Sequence, residues 1–438
     1  MPLSIHHHTV PFNGDAFDIF SIFKDEPHVF FLDSSLRTSG PQFSYIGFSP
    51  FKIIKNTNLS GLKKGFDKYR ISAKGLPFPA GAVGYLGYDG TLFFGFYDTI
   101  LCLDHQKKNL IISGFSKARI KDVMTQLKTT KILMDFKPDT PNKSPDTRSS
   151  TRSFYKNHLD FQSNFTKTGY MKAVRQALEH IRRGDIYQIN LSHQIQLEVP
   201  GWRGTIGAAG IYQHLRRAFP SQFSAYFDDG KQVVLSASPE RFLRLQNRTV
   251  QVKPMKGTRP RGKTKVQDKK LKEQLLKSPK EIAELLMVTD LERNDLGRVC
   301  EYNSIKVKSM RTIETYASVF QATSTVEGRL CKGKGQFDLL QAAFPSGSVT
   351  GCPKIEAMKI INDLENVSRG LYTGALGYLS FSGDMDFNVM IRTIFLKHEK
   401  ITFHVGGGIV ADSKPGDEWQ ETWDKAKPLI ETLERSLS

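Results

Sequence analysis

Three strand-like runs in quick succession place the strongest limit on how this chain can fold. Residues 233–237, 241–245 and 250–253 are rich in Val, Leu and Phe, and only a few residues separate one run from the next. Such spacing predicts an antiparallel meander. Residues 170–181 carry apolar side chains at helical spacing, but helices and strands do not alternate regularly along the chain. The sequence therefore predicts an α+β fold rather than a doubly wound parallel sheet.

One stretch rich in proline and polar residues divides the chain. Residues 137–154 contain Pro138, Pro141 and Pro145 among Ser, Thr, Asp, Asn and Lys, which is typical of a linker or a long exposed loop. We predict a strand-rich N-terminal region over residues 1–136, this linker, and a larger mixed region over residues 155–438.

The composition is that of an ordinary globular protein, with 438 residues and 24% charged residues. No apolar run approaches the roughly 20 residues that a membrane span needs, and the N-terminus shows no secretory signal. The four cysteines are scattered, which fits a reducing compartment. We expect a cytoplasmic protein with no membrane partner.

The formal net charge of +18 allows two explanations. A nucleic-acid-binding protein is one, because residues 253–280 are strongly basic. The sequence contains no helix-turn-helix, zinc-finger or RNP-like pattern, however, and we expect no nucleic-acid partner. A basic surface that attracts small anionic substrates is the other explanation.

Lys256 lies in the segment Lys253-Pro-Met-Lys-Gly-Thr-Arg-Pro-Arg261, where the sequence predicts that a short strand ends in a turn at Gly257 and Pro260. Neighbouring positive charge and partial desolvation both lower the pKa of an amine, and a neutral lysine is a nucleophile. Taken alone, such a segment is more often a solvated basic loop.

Two predicted helices each carry a pair of carboxylates. Glu281 and Glu284 are three residues apart in residues 279–293, and Glu418 and Glu421 are three apart in the last helix, away from its apolar stripe. Each pair alone is typical of a solvated helix face. If the fold brings the two faces together, their repulsion favours a bridging Mg²⁺, which takes oxygen ligands.

Three consecutive glycines, Gly406, Gly407 and Gly408, precede the last helix. They allow the backbone to approach a ligand closely and can present N–H groups to an anion. A tight turn is the alternative. The pattern is not that of a dinucleotide site.

Several segments resemble the chorismate-utilising enzymes, the family that includes anthranilate synthase component I, aminodeoxychorismate synthase component I, and the isochorismate and salicylate synthases. They are found in the same order over about the last 260 residues: 184–192, Ser238-Pro-Glu-Arg-Phe242, 254–258, 290–299, 344–354, 374–394 and 406–425. The resemblance implies two interleaved subdomains whose large antiparallel sheets pack as a sandwich with helices outside. It also implies that residues 155–438 bind chorismate and carry the catalysis.

Within this family two positions separate the reactions. Aminodeoxychorismate synthases typically carry lysine at the position of Lys256, where anthranilate synthases carry alanine. Relatives that add water use a lysine at the position of Gln188. Many relatives place a histidine, tied in anthranilate synthases to loss of pyruvate, at the position of Gln321. The resemblance therefore implies synthesis of 4-amino-4-deoxychorismate; anthranilate synthesis is the alternative.

The resemblance also implies a role for each site residue. Lys256 is the implied nucleophile and Glu240 the general acid/base. Glu284 and Glu421 are the implied Mg²⁺ ligands, with Glu281 and Glu418 acting directly or through water. Substrate binding is assigned to Thr350, Tyr372, Arg392, Gly406, Gly407, Gly408 and Lys425.

Two further expectations concern nitrogen supply and the N-terminal region. Nothing in the chain resembles a glutaminase, so the resemblance implies ammonia from a separate glutamine amidotransferase subunit. The N-terminal region of the family can hold tryptophan, and Ser34 with residues 223–224 matches that site weakly.

Overall fold

A computed structural model describes residues 4–36, 42–72, 75–130, 159–201, 207–316 and 319–437. The predicted linker, residues 137–154, lies outside these ranges.

The strands of the described residues are, in chain order, β1 (His6–Pro11), β2 (Phe30–Asp33), β3 (Phe43–Gly47), β4 (Lys52–Lys55), β5 (Gly81–Leu86), β6 (Leu92–Tyr97), β7 (Thr99–Asp104), β8 (Asn109–Gly114), β9 (Gln162–Ser163), β10 (Gln188–Glu198), β11 (Phe223–Asp228), β12 (Gln232–Ser238), β13 (Arg241–Gln246), β14 (Thr249–Val252), β15 (Met255–Pro260), β16 (Lys306–Thr315), β17 (Val319–Arg329), β18 (Gly351–Cys352), β19 (Ala375–Ser380), β20 (Met385–Val389), β21 (Thr393–Lys397) and β22 (Lys400–Ile409).

The helices of the same residues are α1 (Ala16–Phe23), α2 (Leu59–Phe66), α3 (Lys117–Thr129), α4 (Lys167–Arg183), α5 (Gly207–Ala218), α6 (Lys265–Lys277), α7 (Pro279–Gly297), α8 (Gln336–Ala343), α9 (Lys354–Leu364) and α10 (Pro415–Leu437), with a 3₁₀ turn at Gly347–Val349. None of these helices combines the length and apolar character needed to cross a membrane.

The strands form two large sheets. The first has the order β1-β8-β7-β3-β2-β11-β12-β21-β22-β10-β18, with β9 paired to β10. The second has the order β15-β17-β14-β13-β20-β19-β5-β6-β4, with β16 paired to β17. All of the strand pairs in these sheets are antiparallel.

Aromatic side chains fill the space between the two sheets. Phe30 of β2 meets Tyr97 of β6 edge to face, with ring centroids 4.7 Å apart, and Phe93 of β6 meets Phe227 of β11 in the same way at 5.7 Å. Such pairs stabilise a core beyond the area they bury. The two sheets therefore pack face to face as a sandwich.

Helices cover the outer faces of the sandwich. Helices α1, α3, α5 and α10 pack on the first sheet, and α2, α7 and α8 pack on the second. The predicted α+β class, with large antiparallel sheets and helices outside, is confirmed.

The two parts of the chain interleave in both sheets. In the first sheet β2 pairs with β11, and in the second β5 pairs with β19. Residues before 131 and after 158 thus share two continuous sheets. The boundaries at 136 and 155 stay a prediction from the sequence.

Candidate active site

Lys256 lies on an edge strand of the second sheet and not in a turn, so the predicted turn is wrong. Strand β15 pairs with β17 on both sides of a bulge at Gly257, whose φ is +80°. Glycine adopts this left-handed conformation at no steric cost. The bulge leaves the Lys256 side chain directed inward, where Nζ donates to the carbonyl of Ser348 at 3.1 Å.

The basic neighbours of Lys256 in sequence are all paired with acids. Lys253 pairs with Glu314, Arg259 pairs with Glu281 at 3.0 Å, and Arg261 pairs with Asp268 at 2.7 Å. The sequence suggested that these cations lower the pKa of the Lys256 amine. Their pairing with acids removes that explanation.

Burial lowers the pKa of the Lys256 amine below its ordinary value. The nearby carboxylates of Glu284 and Glu240 oppose this shift, whereas the Lys425 ammonium on α10 adds to it. The amine is thus held close to acids and away from bulk water, which increases its neutral, nucleophilic fraction.

Glu240 occupies the short connection between β12 and β13 and is 4% exposed. Burial raises the pKa of its carboxyl to about 7, although the Ser348 hydroxyl, the Lys256 ammonium and the Met255 N–H all favour the ionised form. The Glu292 carboxylate raises it further. A carboxyl that keeps its proton near neutral pH can act as a general acid.

Glu284 of the first predicted pair lies near Glu421 of the second, whereas Glu281 pairs with Arg259 at 3.0 Å. Glu281 and Glu284 lie on α7, and Glu284 feels the charge of Glu421 on α10 as well as that of Glu281. A Cβ built on Gly407 would lie 3.4 Å from Glu418 Oε2 and 3.6 Å from Glu421 Oε1. The Glu418 and Glu421 carboxylates of α10 therefore lie beside β22, and the charge of Glu421 also acts on Glu284 of α7.

Lysine charges balance these carboxylates. Lys425 Nζ contacts Glu421 Oε1 at 2.7 Å, and although burial opposes it, this ammonium holds the pKa of Glu421 below its ordinary value. Burial raises the pKa of Glu284 and of Glu418, and Lys280 favours the ionised form of both. Glu418 is only 5% exposed, so the prediction that it lies away from the buried stripe of its helix is wrong.

The donor set suits Mg²⁺. Within the described ranges no three His, Cys, Asp or Glu side chains are grouped closely enough to hold a metal by themselves. Mg²⁺ does not require such a cage, because it usually takes one or two carboxylates and keeps waters or substrate oxygens as its other ligands. Glu284 of α7 and Glu421 of α10, whose charges interact, can supply those carboxylates.

The three glycines belong to strand β22 and do not form a tight turn. They pair with residues 190–192 of β10, and the Gly406 carbonyl accepts from Lys425 Nζ at 2.9 Å. A Cβ on Gly408 would lie 2.5 Å from Gln188 Nε2 and 3.6 Å from Lys256 Nζ. The missing side chains leave open the space beside Gln188, Lys256 and Lys425.

Arg392 and Tyr372 carry the remaining polar groups predicted for substrate binding. No carboxylate of the described residues pairs with the Arg392 guanidinium, which faces the Phe219 ring at 5.7 Å and whose pKa is lowered by burial. Tyr372 is buried and stacks on His404 with ring centroids 4.8 Å apart. An unpaired, partly buried guanidinium is suited to bidentate carboxylate binding.

Thr350 is placed differently from a simple ligand-binding hydroxyl. Its Oγ1 donates to the carbonyl of Ser346 at 3.0 Å, and its own carbonyl accepts from the Asn190 N–H at 2.7 Å. Thr350 therefore shapes the turn that carries Ser348, the acceptor of Lys256.

Sequence reasoning missed Glu292, Ser346 and Ser348. Glu292 is 1% exposed, and burial raises the pKa of its carboxyl to about 7. A signal was available: Glu292 continues the stripe of Leu285, Val288 and Leu296 that faces the core on α7. A glutamate at such a position is rarely buried without a polar partner.

A separate cavity of about 500 Å³ lies between the two sheets. Ser34, Phe223 and Ser224 line it, as do Arg241 and Asp386. The residues that matched the tryptophan site of the family thus lie around one cavity, and Arg241 is adjacent in sequence to Glu240.

Comparison with known proteins agrees with this geometry. A family model described as chorismate binding enzyme matches residues 36–431. The chain is 36% identical to anthranilate synthase component 1 of Acetivibrio thermocellus over 89% of this chain and 81% of that protein. It is also 36% identical to aminodeoxychorismate synthase component 1 of Salmonella typhimurium, over 82% of this chain and 78% of that one.

The fold has a solved counterpart. The crystal structure of anthranilate synthase component I from Streptococcus pneumoniae superimposes with a TM-score of 0.75 and 30% identity, covering 90% of this chain and 93% of that one. With the family model matching most of its length, the chain belongs to the chorismate binding enzymes.

Proposed function

We propose that this protein is the chorismate-converting component of an aminodeoxychorismate synthase, which makes 4-amino-4-deoxychorismate from chorismate and ammonia. The observation that carries the proposal is the Lys256 amine, half-buried beside the buried acid Glu240 and close to the glutamates of two helices. Relatives with either reaction are equally similar overall, so the assignment rests on site residues.

The first step is attack of neutral Lys256 on C2 of the chorismate ring, and the double bonds shift as the C4 hydroxyl departs. Hydroxide is a poor leaving group, and a proton from Glu240 releases it as water. The raised pKa of Glu240, about 7, keeps that proton available at neutral pH. A covalent intermediate replaces one difficult substitution by two easier steps.

In the second step ammonia adds at C4, and the Lys256 amine leaves C2. Gln188 and Gln321 are both buried, and neither amide can act as an acid or base in this pH range. Gln321 Nε2 lies 3.5 Å from Thr258 Oγ1, on the strand next to Lys256. Gln188 therefore offers no base for the addition of water, and Gln321 replaces the histidine that the family uses for loss of pyruvate.

Charged groups would hold the dianionic substrate from two sides. Arg392 is suited to the enolpyruvyl carboxylate, and Tyr372 is the second residue proposed to bind it. Mg²⁺, when bound by Glu284 and Glu421 with help from Glu281 and Glu418, would supply a positive charge for the ring carboxylate. Lys425 and the backbone of Gly406, Gly407 and Gly408 would border the same end of the substrate.

Ammonia would come from a glutamine amidotransferase subunit. Relatives are named component 1, which fits an enzyme of two subunits. We expect free ammonium to replace that subunit in a purified system.

The decisive experiment replaces Lys256 by Ala and follows both products from chorismate and ammonium. We expect 4-amino-4-deoxychorismate, detected as p-aminobenzoate after addition of a lyase, to fall by about 10²-fold or more, because the nucleophile is gone. Lys263→Ala removes an exposed cation of the same basic segment and should leave the rate unchanged.

Intact mass spectrometry adds a direct readout. Wild-type protein mixed with chorismate in the absence of ammonium should gain the mass of chorismate minus water, and Lys256→Ala should not. Direct formation of fluorescent anthranilate by the wild type, or undiminished 4-amino-4-deoxychorismate synthesis by Lys256→Ala, would overturn the proposal.

A further inference from the structure

Glu292 is a buried carboxyl that the proposed reaction does not use. Its Oε1 accepts from the Ser346 hydroxyl at 3.1 Å and from the Gly347 N–H at 3.0 Å. Its Oε2 is buried and has no hydrogen-bond partner among the described residues. An unpartnered oxygen is costly on a buried carboxylate and much less so on a neutral carboxyl, so this environment favours the protonated form.

A line of hydroxyls joins Glu292 to Glu240. The Ser346 hydroxyl contacts Glu292 and lies 3.0 Å from the Ser348 hydroxyl. The Ser348 hydroxyl in turn is close enough to the Glu240 carboxyl to favour its ionised form. Serine hydroxyls both donate and accept, so this line can pass a proton in either direction.

Charges of both signs lie around Glu292. Lys354, from α9, favours the ionised form of Glu292, but its ammonium also pairs with Asp295 and donates to the Ala343 carbonyl at 2.9 Å. Asp295 itself favours the neutral form of Glu292.

Around Glu240 the facing groups are Lys256, Ser348, Tyr316 and the Met255 N–H, together with Glu292. Burial raises the pKa of each carboxyl to about 7. Two interacting acids of this kind titrate as a pair and not as independent groups.

We propose that Glu292 is a proton-sharing partner of Glu240, which returns a proton to Glu240 through Ser346 and Ser348 after Glu240 has protonated the departing hydroxyl. This inference rests on the proposed function. Glu292 is a positioning residue in this scheme, because it acts through Glu240 and does not touch the substrate.

The transfer balances. Glu240 gives its proton to the C4 oxygen, which leaves as water. With its protonated oxygen turned toward Ser346, Glu292 gives one proton to Ser346, Ser346 gives one to Ser348, and Ser348 gives one to Glu240. Each hydroxyl regains the proton that it loses, and Glu292 is left with the negative charge. When ammonia has added at C4, the proton lost from the new ammonium group restores the pair.

Glu292→Gln tests the scheme, because the amide keeps the shape and an acceptor for Ser346 but cannot release a proton. Glu240 acts as an acid, so the rate is highest below its pKa and falls as the pH rises through it. Loss of the Glu292 charge lowers that pKa, and the alkaline limb of kcat should shift by about one pH unit to lower pH, which is about a tenfold loss at high pH. The KM for chorismate should stay within about twofold of the wild type, because Glu292 does not contact the substrate in this scheme.

Two further variants separate the relay from a structural role. Ser346→Ala breaks the line of hydroxyls but keeps the Glu292 carboxyl, and it should lower kcat with a smaller shift of the limb. Asp290→Asn removes a carboxylate that is exposed on the same helix and paired with Arg293 at 2.8 Å, and its profile should match the wild type. Thermal unfolding of each variant checks the fold.

Infrared titration of the substrate-free protein needs no reaction at all. The wild type should show protonated-carboxyl bands that disappear together near neutral pH, and Glu292→Gln should lose one band and move the other to lower pH. If this coupling is seen but no 4-amino-4-deoxychorismate is formed, the proposed function fails and the pair stands. A Glu292→Gln protein whose kcat falls equally at all pH values, or not at all, with an unmoved Glu240 band, would overturn the inference.

Discussion

The substitution Gly407→Ala tests whether the space lined by Glu418 and Glu421 binds Mg²⁺, separately from its effect on the stability of the fold. A Cβ at this position would lie 3.4 Å from Glu418 Oε2, 3.6 Å from Glu421 Oε1 and 3.8 Å from Lys425 Nζ. These are ordinary contact distances, so the new methyl group fits in strand β22 without moving its neighbours. It nevertheless occupies the place around which the carboxylates of α10 are arranged.

The expected effects on stability and on binding have opposite signs. Alanine has less conformational freedom than glycine in the unfolded chain, and the free energy of unfolding should rise by about 0.5–1 kcal/mol. Mg²⁺ needs oxygen ligands at about 2.0–2.1 Å and room for waters or substrate oxygens. A methyl carbon in this space should weaken Mg²⁺ binding by about 10–100-fold, as changes beside metal ligands usually do.

Calorimetric titration of Mg²⁺ in the presence of chorismate measures the affinity, and chemical denaturation measures the stability. Gly297→Ala, at the end of α7 with no atom within 4 Å of the new Cβ, is the matched control and should leave Mg²⁺ binding unchanged. A Gly407→Ala protein with wild-type Mg²⁺ affinity and wild-type turnover would show that the ion is not held beside β22.

The other predictions concern the acid and the core. Glu240→Gln should lower kcat by about 10²–10⁴-fold in steady-state assays. Wild-type kcat should decline as the pH rises through about 7, the pKa to which burial raises the Glu240 carboxyl. A wild-type kcat that stays constant at alkaline pH would contradict the role of Glu240 as an acid. Asp33→Ala should lower the free energy of unfolding by about 3 kcal/mol in urea titrations, the lower end for a broken buried pair, because Arg216 keeps its 2.8 Å contact with Asp15. A loss below about 1 kcal/mol would show that Asp15 alone satisfies Arg216.

Local patterns predicted the elements of the fold better than their assembly. The three runs predicted over residues 233–253 are the strands β12, β13 and β14, but the meander predicted from them is wrong, because β12 belongs to the first sheet whereas β13 and β14 pair in the second. The helix predicted from residue 279 begins there with Ser278 as its N-cap. The sequence did not reveal which strands pair across the sheets. Strand β5, for example, pairs with β19 through contacts between residues far apart in sequence. Spacing along the chain carries no information on such pairing.

The site was predictable in its residue types but not in its electrostatics. Burial lowers the pKa of the Lys256 amine, whereas its basic sequence neighbours are neutralised by Glu314, Glu281 and Asp268. Those three acids approach from other elements, which the basic segment does not reveal. The role of Glu292 could not be predicted from the sequence, because its partner Ser346 lies 54 residues away along the chain.

The interleaving of the sheets has a consequence for how the chain is made. The Ser380 hydroxyl donates to the Ala80 carbonyl across 300 residues, where β19 closes on β5. During synthesis the N-terminal strands must wait for most of the chain before their sheet edges are covered. Exposed edges recruit other chains, and such long-range pairing is slow to form. The edges of the N-terminal strands therefore stay open until the later strands emerge, and a shortened chain would leave the same edges open permanently.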